Sequence, residues 1–252
     1  MVFEHLKRGL IAGTLAGVVY GLFMAFVGNP MTEFLHDFGH DHGHGHDHGH
    51  SHGHESAHAI AESTTALVSI GSGLLWAIFL GGLFAVALFV FEPALPGTTE
   101  TKAALLAGVG FFSISVTPWL VVPPAAPGAE NLYGIDTRLA IYGALVIVGL
   151  VTSAAAISIY KRTARSGRLV AGAAAGLPLV GLVVLVPLVT PTVVSHPELP
   201  ADLVGAYQAM VVLSQAAIWG LIATTYNWLQ RRAGANSVQS ATQRTQHEEP
   251  HY

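Results

Sequence analysis

Six stretches of the chain, residues 9–28, 63–91, 103–129, 139–160, 169–195 and 203–229, contain no Asp, Glu, Lys or Arg. A helix of about 20 apolar residues, rising 1.5 Å per residue, crosses the hydrocarbon core of a bilayer. Uninterrupted runs of this length differ from the alternating ~10-residue segments of a barrel strand. The pattern predicts an all-α polytopic membrane protein with six transmembrane helices, at about 9–28, 63–91, 103–123, 139–160, 169–190 and 203–229. Residues 1–232 form one transmembrane domain, and the polar, helix-poor residues 233–252 read as a disordered cytoplasmic tail.

The first stretch follows Lys7 and Arg8, as a signal peptide would, but its length exceeds a signal h-region of about 7–15 residues and no A-x-A site follows it. It also carries Gly9, Gly13, Gly17 and Gly21, a four-residue stripe that lets a neighbouring helix approach closely. A resident helix is expected.

Charge sets the orientation. With six crossings, one set of connecting segments holds Lys7, Arg8, Lys102, Lys161, Arg162, Arg165, Arg168, Arg231, Arg232 and Arg244, all but one of the 11 basic residues. The opposite set holds Arg138 and most of the acids: Glu33, Asp37, Asp41, Asp47, Glu55, Glu62, Glu130, Asp136, Glu198 and Asp202. The positive-inside rule then puts both termini in the cytoplasm, with the protein a multi-pass component of the cell (inner) membrane.

Composition narrows the function. Hydrophobic residues make up 52% and charged residues 10%, against about 25% charged in a soluble domain. A soluble enzyme and a basic nucleic-acid binder are both excluded, so lipid is the surrounding partner and nucleic acid is not. Zero cysteines exclude thiolate metal sites and cysteine nucleophiles. No G-x-x-x-x-G-K-[ST] occurs, so there is no P-loop nucleotide hydrolysis.

Ten of the 14 histidines fall in HDFGHDHGHGHDHGHSHGHESAH, residues 36–58. They are His36, His40, His42, His44, His46, His48, His50, His52, His54 and His58, with Asp41 and Asp47 interleaved. Glycine and short polar residues cannot build a core, so the segment is a loop on the extracytoplasmic side. Imidazole suits Co, Ni, Cu and Zn, and the carboxylates add charge. Overlapping ligand sets on a loop suggest modest affinity and fast exchange, an antenna rather than the selective site. The alternative is a solvated low-complexity loop, or one that sequesters metal passively.

His54, His58 and Glu62 stand at i, i+4 and i+8, one helical stripe just before the second span, placed to pass metal from loop to membrane. The alternative is that they extend the solvated tract. His54-Glu55-Ser56-Ala57-His58 also matches the H-E-x-x-H of metalloproteases, a match that so dense a tract produces readily. No enzyme activity is expected.

No charge is expected deep in the spans, where it would cost ~2.5–3.5 kcal/mol or more. Gln208 and Gln215, seven residues apart in the sixth helix, share a face and serve either as packing partners or as pore lining. Pro123 and Pro124, in the run that closes the third helix, interrupt helical hydrogen bonding and free carbonyls near the outer face. Pro178 and Pro187 invite a break in the fifth helix, and broken helices mark many transporter sites or serve packing alone. His196 and Glu198 lie on the same face as the tract, as secondary ligands.

The order of these features resembles the CbtA family of probable cobalt transporter subunits. The likeness rests on RGLIAGTLAGVVYGLF with its outer His-rich loop, on TPWLVVPPAAPG, on the Pro-containing fifth helix, and on AYQAMVVLSQAAIWGLI. The resemblance implies cobalt uptake linked with cobalamin supply, and a small one-helix partner subunit with its own His motif. The tract is longer here than in the family, and Pro187 to Pro191 encloses no His. The expectation is uptake of Co2+, with Ni2+ or Zn2+ as alternatives, by a permease without a resident cofactor that acts with such a partner or as a homo-oligomer. Rival readings are a metal exporter and a non-transporting metal sensor or accessory protein.

Overall fold

The computed structural model describes the backbone of residues 2–41 and 55–247 and the side chains of residues 2–38, 64 and 66–234. Among the described residues it is mainly helical, with one short two-stranded pairing in the connections. The elements are α1 (Val2–Phe23), a wide π-turn (Met24–Gly28), α2 (Asn29–Asp41), α3 (Glu55–Phe91) and α4 (Thr99–Phe111). A second π-turn (Phe112–Val116) leads into the short α5 (Thr117–Trp119). Then come β1 (Glu130–Asn131), α6 (Ile135–Thr163), a 3-10 turn (Ala164–Ser166), α7 (Arg168–Val189), β2 (Val194–Ser195) and α8 (Ala201–His247). Among the described residues, six helices are long and apolar enough to cross a membrane, at Val2–Phe38, Ala66–Phe91, Thr99–Trp119, Ile135–Ser166, Arg168–Val189 and Ala201–Gly234. The sequence reading of six spanning helices agrees with this.

The glycine stripe explains the tightest interface. Gly9, Gly13, Gly17 and Gly21 are all buried. They meet α3 in descending order at Gly81, Ala77, Leu74 and Ile70, so α1 and α3 run antiparallel with their backbones in contact. In lipid there is little hydrophobic drive between helices, and close van der Waals packing through small residues takes its place. α8 lies antiparallel to α1, with Tyr226 beside His5 at one end and Gln215 and Ser214 at the Tyr20 hydroxyl further along. α4 completes the core, which holds Ala12, Ala16, Leu80, Phe84, Ala107, Trp219, Ile222 and Tyr226. α6 packs on the π-turn of α4, and α7 packs on α6.

Two helix boundaries depart from the sequence reading, and of the two readings left open for the fifth helix the break does not occur. The third helix stops at Trp119, four residues short of 123. α7 runs unbroken through Pro178 and Pro187, because a helix against lipid and one neighbour can bend around two missing N–H groups instead of unwinding. α8 continues to His247, so residues 233–247, read as a helix-poor tail, have helical backbone. Propagating an existing helix adds one hydrogen bond per residue without a new nucleus.

The contacts place the basic segments together. Asn227 Nδ2 donates to the Glu100 carbonyl at 3.3 Å, Lys161 Nζ donates to the Ala94 carbonyl at 3.2 Å, and Arg231 pairs with Glu100 at 2.6 Å. The other end carries α2, the Pro-rich run and both strands. The bundle thus has a basic end and a histidine end.

Candidate functional site

At the histidine end the Pro-rich run and the segment after α7 are stitched into one cap. β1 and β2 pair antiparallel, with Glu130 opposite Ser195 and Asn131 opposite Val194. Val193 N–H donates to the Val121 carbonyl at 3.0 Å, and Leu132 N–H donates to the Val193 carbonyl at 3.0 Å. Gly128 takes φ +74°, a backbone state that L side chains adopt only with strain, which lets the run turn back toward the bundle. α2 holds the cap down: Leu35 is 1% exposed against Ala126 and Leu199, with Met31, Phe38 and Tyr207 around them.

Two carbonyls of the Pro-rich run meet donors from other segments, that of Val121 through Val193 and that of Pro124 through α8. Gln208 Nε2 stands 3.5 Å from the Pro124 carbonyl. His196 Nε2 accepts the Ala126 N–H at 3.0 Å, which commits one of its two ring nitrogens to the cap. Pro123 and Pro124 lie in the cap, outside the helical part of the third span.

The histidine tract spans the gap between α2, which ends at Asp41, and α3, which begins at Glu55. His42, His44, His46, His48, His50, His52, His54 and Asp47 lie outside the described residues, as do the side chains of His40, Asp41, His58 and Glu62. In backbone, His58 and Glu62 sit one turn apart at the start of α3. His36 is exposed on α2, with Nδ1 4.0 Å from Asp37. Among the described residues no group of three or more His, Asp or Glu gathers as a metal centre.

Inside the bundle several polar side chains meet across helices. Gln215 and Ser214 join α8 to Tyr20 of α1, and Ser113 Oγ lies 3.4 Å from Ser153 Oγ between the second π-turn and α6. Two cavities, of about 680 and 550 Å³, are walled mainly by aliphatic and aromatic side chains, and neither is lined by Pro123, Pro124, Gln208 or Gln215. The expected cavity of freed carbonyls and amides is neither of these two.

His196 makes the cap sensitive to pH. Burial pushes its pKa below the usual 6.5, because desolvation disfavours the charged ring. Only the neutral ring has a lone pair for the Ala126 N–H. The unfolded chain therefore binds more protons between the two pKa values, and stability rises with pH across that window. The contribution is full above about pH 6.5 and is lost as the pH falls below it. His196→Ala should cost about 1 kcal/mol at pH 7.5 and flatten the fall in detergent melting temperature between pH 7.5 and 5. A variant that melts with the same pH slope as the native protein contradicts this role.

Sequence reasoning missed one pairing at the basic end. His5 Nδ1 lies 2.5 Å from the Tyr226 hydroxyl, its ring tilted against Phe89 and stacked beside Tyr226. Phe84 meets Tyr226 edge-on. A Tyr near the end of a span and a His in the first turn of another are the signal, which is legible only once the two helices are known to be neighbours. Glu92 and Lys102 pair at 3.7 Å nearby.

Compared with known protein families, the chain matches one, described as probable cobalt transporter subunit (CbtA), over residues 3–231. The match takes in all six spanning helices, and the chain belongs to that family. No curated protein and no solved structure matches it.

Proposed function

We propose that this member of the CbtA family takes up a divalent transition metal, Co2+ in the first place, across the cell (inner) membrane. In this reading both termini are cytoplasmic and the histidine end faces outward, as the segregation of basic and acidic segments supports. The imidazoles and carboxylates of the tract concentrate the ion, and His54, His58 and Glu62 hand it toward the membrane. His196, Gln208, Gln215 and the Pro123–Pro124 run belong to the entry side and the route beyond it. An inside-negative potential supplies about 2.3 kcal/mol per elementary charge per 100 mV, twice that for a divalent ion, so uptake needs no nucleotide. The family is one of transporter subunits, and a small one-helix partner with a His motif, or a second copy, would complete the pathway.

The observation that carries the reading is the family match across the whole helical bundle. Metal content of cells with and without the chain, scanned over Co, Ni, Zn and Cu, tests it, and a rise confined to cobalt is expected. Unchanged metal content, or depletion on expression, overturns import. Deleting residues 39–53 should raise the metal concentration needed for half-maximal uptake while leaving the maximal rate nearly intact. Complete loss of transport on that deletion would refute the antenna role.

A further inference from the structure

At the basic end, the larger cavity is a groove with α6 at its back and α4 and α7 as its walls. α4 and α7 do not pack closely on each other, so the groove opens toward lipid between them. Its volume is about 680 Å³, and its lining is apolar apart from a few groups such as Thr101, Ser153 and Tyr160. Gly172 and Gly176 contribute to the α7 wall. A Cβ at either position would meet nothing within 4 Å, so these glycines serve no helix contact described here and leave the groove wide.

Two cations sit where the groove reaches the basic end. On α6 the groove is lined by Ser153, Ala156, Ile157 and Tyr160, and Lys161 is one turn beyond Ile157 on the same face. Its Nζ touches the Ala94 carbonyl, in the segment that continues to the groove residues Pro96 and Gly97. On α7, Arg168 is one turn before Gly172, again on the groove's face. Arg162 follows Lys161 in the last turn of α6, and Arg165 lies in the 3-10 turn that connects α6 to α7. All four are exposed, and among the described residues none takes part in an ion pair, whereas Lys102 and Arg231 are both paired. An apolar trough in lipid that ends at two unpaired cations complements a molecule with an anionic head and a hydrocarbon tail.

We propose that the α4–α6–α7 groove binds an anionic phospholipid, with its phosphate between Lys161 and Arg168 and one acyl chain along Gly172 and Gly176. The site is separate from the transport reading and stands or falls without it. Basic residues between helices at one membrane surface are suited to anionic headgroups, and each contributes attraction that falls off within a Debye length.

Native mass spectrometry of the purified full chain, offered phosphatidylglycerol or phosphatidylcholine with the same acyl chains, tests the site. Phosphatidylglycerol should be retained preferentially. The double variant Lys161→Gln, Arg168→Gln should weaken its retention roughly 25-fold, about fivefold per cation. Arg162→Gln removes the same charge from the opposite face of α6 and should leave retention unchanged. Gly172→Leu with Gly176→Leu fills open space and should expel the tail, a reading that does not depend on the charge variant folding. Equal loss in Arg162→Gln, equal retention of phosphatidylcholine, or unaltered binding in the leucine variant overturns the proposal. So does a cross-link from Gly176→Cys to another protein helix, which would give the groove to a partner.

Discussion

Gly13→Leu and Gly81→Leu are each expected to stop the bundle from assembling. A Cβ at Gly13 would lie 2.5 Å from the Ala77 carbonyl oxygen and 2.9 Å from Ile78 Cα. At Gly81 it would fall inside the van der Waals shell of the Gly9 carbonyl oxygen and 2.8 Å from Gly13 Cα. These neighbours are backbone, so no rotamer change relieves the overlap, and the two helices must separate. Overpacking a core that can adjust costs about 1–3 kcal/mol. An interface that cannot adjust loses more, and in a bilayer close packing is itself the main attraction between helices. Each variant should yield little monodisperse protein and lower the unfolding midpoint by more than any other single change described here. Gly71→Ala, on α3 with nothing within 4 Å of its Cβ, should be neutral. A Gly81→Leu protein as stable as the native one would mean that α1 and α3 are not in contact.

That interface was legible in the sequence because a glycine every fourth residue on an otherwise apolar helix has a single physical use. The six spans were legible for a related reason: the absence of charge over 20 residues leaves few folds in which every backbone group is satisfied. Features set by neighbours were hidden. Pro30 and Pro118 each follow a π-turn by the same offset, yet Pro178 and Pro187 leave α7 continuous, and the local sequence does not separate the two outcomes. Gln208 and Gln215 face partners on different elements, although their spacing puts them on one face of α8. His5 and Tyr226 are 221 positions apart and meet only because α1 and α8 are antiparallel. The two cavities described are walled mainly by apolar side chains where a polar route was expected.

The second π-turn shows how one such conflict is settled and yields a sharp test. Pro118 has no N–H, and its ring crowds the carbonyl four residues earlier, that of Ile114. The helix widens instead: the Thr117 backbone N–H and its hydroxyl both reach the Phe112 carbonyl. This leaves the Ile114 carbonyl without its helical donor in the membrane interior. Tyr142 of α6 supplies one, its hydroxyl donating to that oxygen at 2.5 Å. Tyr142→Phe removes the donor while keeping the ring, and a buried carbonyl left unsatisfied costs about 1–3 kcal/mol. Pro118→Ala restores an amide at the position from which an α-helix would serve Ile114. In that background Tyr142→Phe should cost well under half as much, a positive coupling readable by a double-mutant cycle of denaturant or thermal unfolding. Strict additivity of the two changes would show that the Tyr142 hydroxyl does not replace the bond that Pro118 removes. The hold of α6 on the second π-turn and α5 would then rest on contacts such as Gly149 against Ser113 and Thr117 and Ser153 beside Ser113.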